Sequence, residues 1–144
     1  NPLKKQGVSP QIFLGLSAGA AYIDTESGLG LGMFAEIKTE SFSIVPQANY
    51  WKVGKDNNFE AAGLLRLRFK SSSIEPYIDG GIGVNFLNKD SKNETKVGLD
   101  LGGGLDFLGV GSTYSIFIDA KYKIIVGDPN VKGYTLLGGI KFYM

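Results

Sequence analysis

From Gln11 to the end of the chain, hydrophobic side chains recur at every second position, and the alternation stops and restarts often enough to define eight segments. Period two over roughly 11 to 13 residues marks a β-strand with one apolar face. In the first segment Ile12, Leu14, Leu16, Ala18, Ala20 and Tyr22 alternate with Phe13, Gly15, Ser17, Gly19 and Ala21. Segments 29–37, 42–50, 59–69, 78–86, 97–107, 114–124 and 134–144 repeat the pattern. None carries a helical period. Residues 39–41, 71–73 and 109–112 read as short turns, whereas 24–27, 54–58, 88–95 and 127–130 are more polar, with 88–95 the longest. All are short enough for hairpins, which predicts an antiparallel up-and-down meander of eight strands closing into a barrel. Pro46 sits in mid-strand without an N–H to donate, so a bulge or a weakened pairing is expected there.

A closed meander has two faces, and three arguments decide which one is outside. The apolar parity holds mostly Leu, Ile, Phe and Tyr, more than an eight-stranded lumen accommodates, whereas the other parity is rich in Gly, Ser and Ala. Charge sorts the same way. Glu36, Lys38, Glu60, Arg66, Arg68, Lys70, Asp79, Asp100, Asp106, Asp119, Lys121, Lys123 and Lys141 all share the small-residue parity, and Lys52, at a strand end, is the one charge assigned to the apolar parity. Arg or Lys facing lipid at the bilayer midplane would cost roughly 2–4 kcal/mol. The aromatics sort by height. Tyr22, Tyr50, Phe59, Phe86, Tyr122 and Tyr134 fall near the longer-loop end, and Phe42, Phe69, Phe107, Tyr114 and Phe142 near the short-turn end. Two aromatic rings around an aliphatic belt are what bilayer interfaces select. The pattern therefore predicts an all-β, eight-stranded transmembrane barrel with its apolar parity toward lipid. The competing arrangement is a soluble, lipocalin-like barrel with that parity turned inward around a lipophilic ligand.

Composition narrows the chemistry. Histidine and cysteine are absent, which excludes Ser-His and Cys-His hydrolases, histidine zinc sites and disulfides. The net charge of +1 gives no general attraction to nucleic acid. No apolar run reaches the roughly 20 residues of a membrane helix. The polar start, Asn1 to Gly7, has no signal-peptide h-region. Gly30-Leu-Gly32-Met-Phe-Ala35 matches a loose dinucleotide fingerprint. It lies inside a strand, no helix follows, and no acid stands at the required distance, so its glycines read as strand glycines and no cofactor is predicted. Asp100 and Asp106 project to one face about 20 Å apart by strand rise, too far for a catalytic carboxylate pair. No catalytic or metal-binding set is predicted, and the Asp/Asn-rich loops lack a calcium-loop pattern.

The lumenal charges are instead expected to pair. Asp79 can meet Arg66 or Arg68 near the short-turn end, and Asp100 and Asp119 can meet Lys121 or Lys123 higher up. Glu36, Lys38, Glu60, Asp106 and Lys141 complete the set. Such a network serves either as a structural core that neutralises buried charge or as a gate or ion relay. Phe13, Phe34, Trp51, Tyr77, Phe117 and Tyr143 are predicted to be lumenal, filling the space opposite the glycines or else lining a small apolar cavity there.

The segment from residue 11 to 144 resembles the small bacterial outer-membrane barrels of the OmpA/OmpX type. Its last residues, Gly139-Ile140-Lys141-Phe142-Tyr143-Met144, resemble the carboxy-terminal assembly signal of that class, with Met144 where an aromatic is usual. The resemblance implies location in the outer membrane, both ends of the chain on the periplasmic side, contact with outer-membrane lipid, and insertion by the barrel-assembly machinery through the last strand. Residues 1–10 are then a periplasmic tail and 11–144 a single barrel domain, expected to be monomeric. The role expected is non-enzymatic: structural, anchoring or surface-interacting, with a narrow solute channel as the alternative.

Overall fold

The computed structural model describes residues 11–23, 26–39, 42–69, 71, 73–89, 92–108, 113–127 and 130–143. Eight strands run through them: β1 (Gln11–Ile23), β2 (Glu26–Lys38), β3 (Ser43–Val53), β4 (Asp56–Arg68), β5 (Ile74–Lys89), β6 (Lys92–Phe107), β7 (Tyr114–Ile125) and β8 (Val131–Tyr143). Each pairs antiparallel with its chain neighbours, and β8 pairs with β1 to close the barrel. The expected N-terminal tail at 1–10, Lys70, the 109–112 turn and Met144 lie outside the described residues.

Register fixes the barrel's dimensions. Ile12 pairs with Ile37, then the line passes Ile44, Leu65, Gly80, Leu101, Tyr122 and Tyr134 and returns to β1 at Tyr22. The return is displaced by ten residues, which is the shear number. With roughly 3.3 Å rise per residue and roughly 4.8 Å between strands, that tilts the strands by about 41° and gives a backbone radius of about 8 Å. The interior is too narrow to take the larger parity, and Leu, Ile, Phe and Tyr accordingly stand outside. Ile82, Leu101 and Leu65 are 63%, 62% and 58% exposed, whereas Ala21, Glu36 and Val45 are fully buried.

Three features depart from the sequence reading. Residues 88–95 do not form a long loop: β5 and β6 continue pairing to Lys89↔Lys92, so the hairpin rises above its neighbours as sheet. Likewise 54–58 contracts to Gly54 and Lys55, with Val53 paired to Asp56. Strand β8 starts at Val131, which adds the exposed Lys132 to the outward parity beside Lys52. At Pro46 the pairing with β2 is interrupted without any bulge. Phe34↔Gln47 and Ile37↔Ile44 keep one register, and the pairs between them are missing.

Gly54 has φ +61°, the left-handed conformation that a two-residue hairpin loop requires and that a Cβ opposes. Gly54→Ala is expected to lower the stability of the folded barrel by about 1 kcal/mol, read from its denaturant midpoint.

Candidate functional site

The inward parity fills the barrel in three layers. The lower layer, toward the turns that follow β2, β4 and β6, is a continuous ion-pair network. Glu36, on β2, is its hub. Its carboxylate contacts Arg66 Nη1 at 3.4 Å, Arg68 Nη1 at 2.5 Å and Lys141 Nζ at 2.9 Å. Asp106 contacts Arg68 and lies 2.8 Å from Lys141, while Glu75 accepts from Arg68 and lies 4.0 Å from Lys38. On the other side Asp79 meets Arg66 at 2.9 Å and Lys121 at 3.0 Å, and Lys121 also reaches Asp119. Among the described residues five acids (Glu36, Glu75, Asp79, Asp106, Asp119) thus face five bases (Lys38, Arg66, Arg68, Lys121, Lys141), and their charges balance. Charges taken out of water cost several kcal/mol each unless paired, so balance is the condition for burying all of them but the partly exposed Lys38.

Aromatic rings brace this layer. The Arg66 guanidinium lies 4.0 Å from the Tyr77 ring centroid and 5.5 Å from that of Phe34, and the Tyr77 hydroxyl donates to Asp119 at 2.7 Å. Phe34 packs edge-on against Phe117 at 5.4 Å. These rings fit because glycines lie beneath them. A Cβ on Gly15 would strike the Phe34 ring, one on Gly104 the Tyr77 ring, and one on Gly139 the Phe117 ring.

The middle layer is smaller. Lys123 lies 2.8 Å from Glu60 and 3.4 Å from Asp100, Asn49 donates to Glu60 at 3.0 Å, and Asn58 donates to Asn85 at 2.9 Å. Above it, at the end where the turns follow Ile23, Val53, Lys89 and Ile125, the lumen is apolar. Ala21, Ile23, Trp51, Val53, Leu87, Ile125 and Val131 form one buried cluster across the bore.

The structure therefore divides the candidate residues by height. Asp100 belongs with Glu60 and Lys123, and Asp106 belongs with Arg68 and Lys141. Asp79 takes Arg66 where either arginine had been open, and Asp119 takes Lys121. Lys38 stands at the lower margin, with its side chain 28% exposed. Of the rings expected in the lumen, Phe13, Trp51, Tyr77 and Phe117 are buried and Phe34 is half-buried; the Tyr143 side chain lies outside the description. Tyr22, Phe42, Phe59, Phe69, Phe86, Tyr122, Tyr134 and Phe142 are exposed on the outer face, with Tyr50, Phe107 and Tyr114 partly so. Tyr22 and Tyr134 stack at 4.9 Å, and Phe59 meets Phe86 at 6.2 Å.

Glu75 was missed by the sequence reading. It shares the parity of Tyr77 and Asp79, but Pro76 stands between it and the segment taken as strand. Among the described residues no group of three or more acids suits a metal ion. The Ser43 hydroxyl is buried and has no hydrogen-bond partner among the described residues.

No family model matches this sequence, and no curated protein matches it. Solved structures do. Neisserial surface protein A (NspA) is similar with a TM-score of 0.80 at 14% identity, covering 92% of this chain and 97% of that one. The N-terminal β-barrel domain of Pseudomonas aeruginosa OprF gives 0.67 at 11% identity, covering 94% and 99%. The outer membrane enzyme PagL gives 0.62 at 18% identity, covering 90% and 99%. At these identities the likeness is one of fold: a small, closed, eight-stranded antiparallel barrel.

Proposed function

We propose that this chain is an integral barrel of the bacterial outer membrane, non-enzymatic, which presents its upper turns at the cell surface in an anchoring or surface-interaction role. The observation that carries the reading is the pairing of an outward apolar belt with a lumen closed by paired charges. From Phe42, just before β3, to Tyr50, and on β7 and β8 from Tyr114 to Tyr122 and from Tyr134 to Phe142, the aromatic rims are eight residues apart. Along strands tilted by about 41° this is about 20 Å, close to the roughly 25 Å apolar band of such barrels. The fold neighbours support the same location, one being described as a surface protein and another as an outer membrane enzyme. The absence of histidine removes the commonest base an outer-membrane hydrolase would use. A lipocalin-like ligand barrel would need the opposite parity inside.

A lumen filled in this way is expected to offer no conducting path. The apolar cluster from Ala21 to Val131 spans the upper bore and the neutral network holds the lower one. The purified barrel is expected to extract only with detergent, to migrate differently in gels before and after boiling, and to give no discrete conductance steps in planar bilayers. Steps that change when Arg66 or Asp79 is neutralised would replace the closed-barrel reading with the channel. A chain that stays soluble and monodisperse without detergent would overturn the membrane reading.

A further inference from the structure

Between β2 and β3 the barrel wall has a seam, and its cause is local. Thr39 N–H donates to the Phe42 carbonyl, so bonded pairs on this ladder alternate through 39/42, 37/44 and 35/46. Pro46 has no N–H to give to the Ala35 carbonyl, and pairing lapses there on the β2 side, while Pro46↔Gly63 persists on the β4 side. Over this seam the outer surface is hollowed into a groove of about 750 Å³. Its outward walls are Leu14, Leu16, Met33, Ala48, Ala61 and Phe142, and its floor reaches the inward-parity residues Phe34 and Gln47.

We propose that this groove is a preferred seat for one lipid acyl chain, lying across the Pro46 seam. The inference rests on the membrane reading above and names a lipid site within it. Pro46 stands midway between the rim residues Phe42 and Tyr50, at a height where a bilayer supplies only hydrocarbon. The outward walls are aliphatic or aromatic throughout, and the volume lies within the roughly 300–1,000 Å³ of ordinary ligand pockets. Two further hollows of about 490 and 840 Å³ open on the outer face, but both lie over continuously paired strands; at Ile82 and Ile118 the side chains protrude, 63% and 45% exposed. A chain in the groove is held on two sides and by its floor, whereas a chain against those residues has contact on one side only. Alanines at 48 and 61, which pair across β3 and β4, keep the groove open.

The test is photolabelling of the full chain in phosphatidylethanolamine–phosphatidylglycerol vesicles that carry a mid-chain diazirine acyl group, followed by peptide mapping. Label is expected to concentrate several-fold on Met33, Ala48 and Ala61 relative to Ile82 and Ile118. Ala48→Leu, which fills the groove with a residue suited to a lipid-facing strand, is expected to abolish that excess. Pro46→Val restores the missing donor and is expected to remove label from Gln47 while leaving the barrel folded. Equal labelling of all five outward positions, or an excess unchanged in Ala48→Leu, overturns the seat. Absence of label from every outward position, Ile82 and Ile118 included, overturns the membrane reading itself.

Discussion

Glu36→Gln is expected to destabilise the barrel by about 3–5 kcal/mol, the cost of removing one partner from a buried ionic network. Glu36 is fully buried and its carboxylate is shared by Arg66, Arg68 and Lys141. The glutamine keeps the volume and removes the charge, which leaves four acids against five bases among the described residues of the lower layer. The readout is the urea midpoint of the barrel refolded in lipid vesicles. A second variant separates charge balance from packing. Among the described residues Lys141 forms its ion pairs with Glu36 and Asp106 and also lies over the Phe13 ring, and Asp106 keeps Arg68 when Lys141 is gone. Lys141→Met combined with Glu36→Gln restores neutrality, and the pair is expected to cost less than the sum of the singles by about 0.5–3 kcal/mol. A Glu36→Gln barrel within about 1 kcal/mol of the parent, or strictly additive singles, would mean that the network is not what holds the lower lumen together.

That network shows where sequence reading stops. Parity alone places Glu36, Arg66, Asp106 and Lys141 inside, because alternation is a property of each strand by itself. It does not say which of them meet. Lys141 and Glu36 are 105 positions apart and are brought together through β1, which lies between β8 and β2. How far apart in height two inward residues fall depends on the shear of ten, and shear is set by the pairing of all eight strands. For the same reason the separation of Asp100 from Asp106 was legible as a distance along one strand, while their different partners were not. The β5–β6 extension was hidden for another reason. Asn88, Lys89, Lys92, Asn93, Glu94 and Thr95 are polar on both parities, so no hydrophobic alternation marks them as strand. Pro46 was legible as a fault in the wall. Whether the fault would be a bulge or an unpaired stretch was decided by β4, which holds Pro46 in register from the other side.

The sign of one substitution on the outer face discriminates between the two solvents this barrel can have. Ile118 lies midway between the rim residues Tyr114 and Tyr122 on β7, 45% exposed, with its side chain on the outward parity. If that face meets water, Ile118→Arg replaces an exposed hydrophobe by a solvated charge, and the change stays within roughly 0.5 kcal/mol of the parent. If the face meets lipid, arginine at mid-belt costs roughly 2–4 kcal/mol, and the penalty falls to roughly 0–1 kcal/mol near the interface. The depth control lies just beyond the end of the same strand. Val126 is 50% exposed, four residues past Tyr122 and beyond the upper rim. Ile118→Arg is expected to lower the urea midpoint in vesicles by several-fold more than Val126→Arg, and to shift it far less in detergent micelles, whose surface adapts around the charge. Equal, small effects at both positions in vesicles would place water against the belt and remove the basis for an outer-membrane role. A large effect at Ile118 alone ties the apolar parity to a layer of finite thickness, which no soluble partner or ligand supplies.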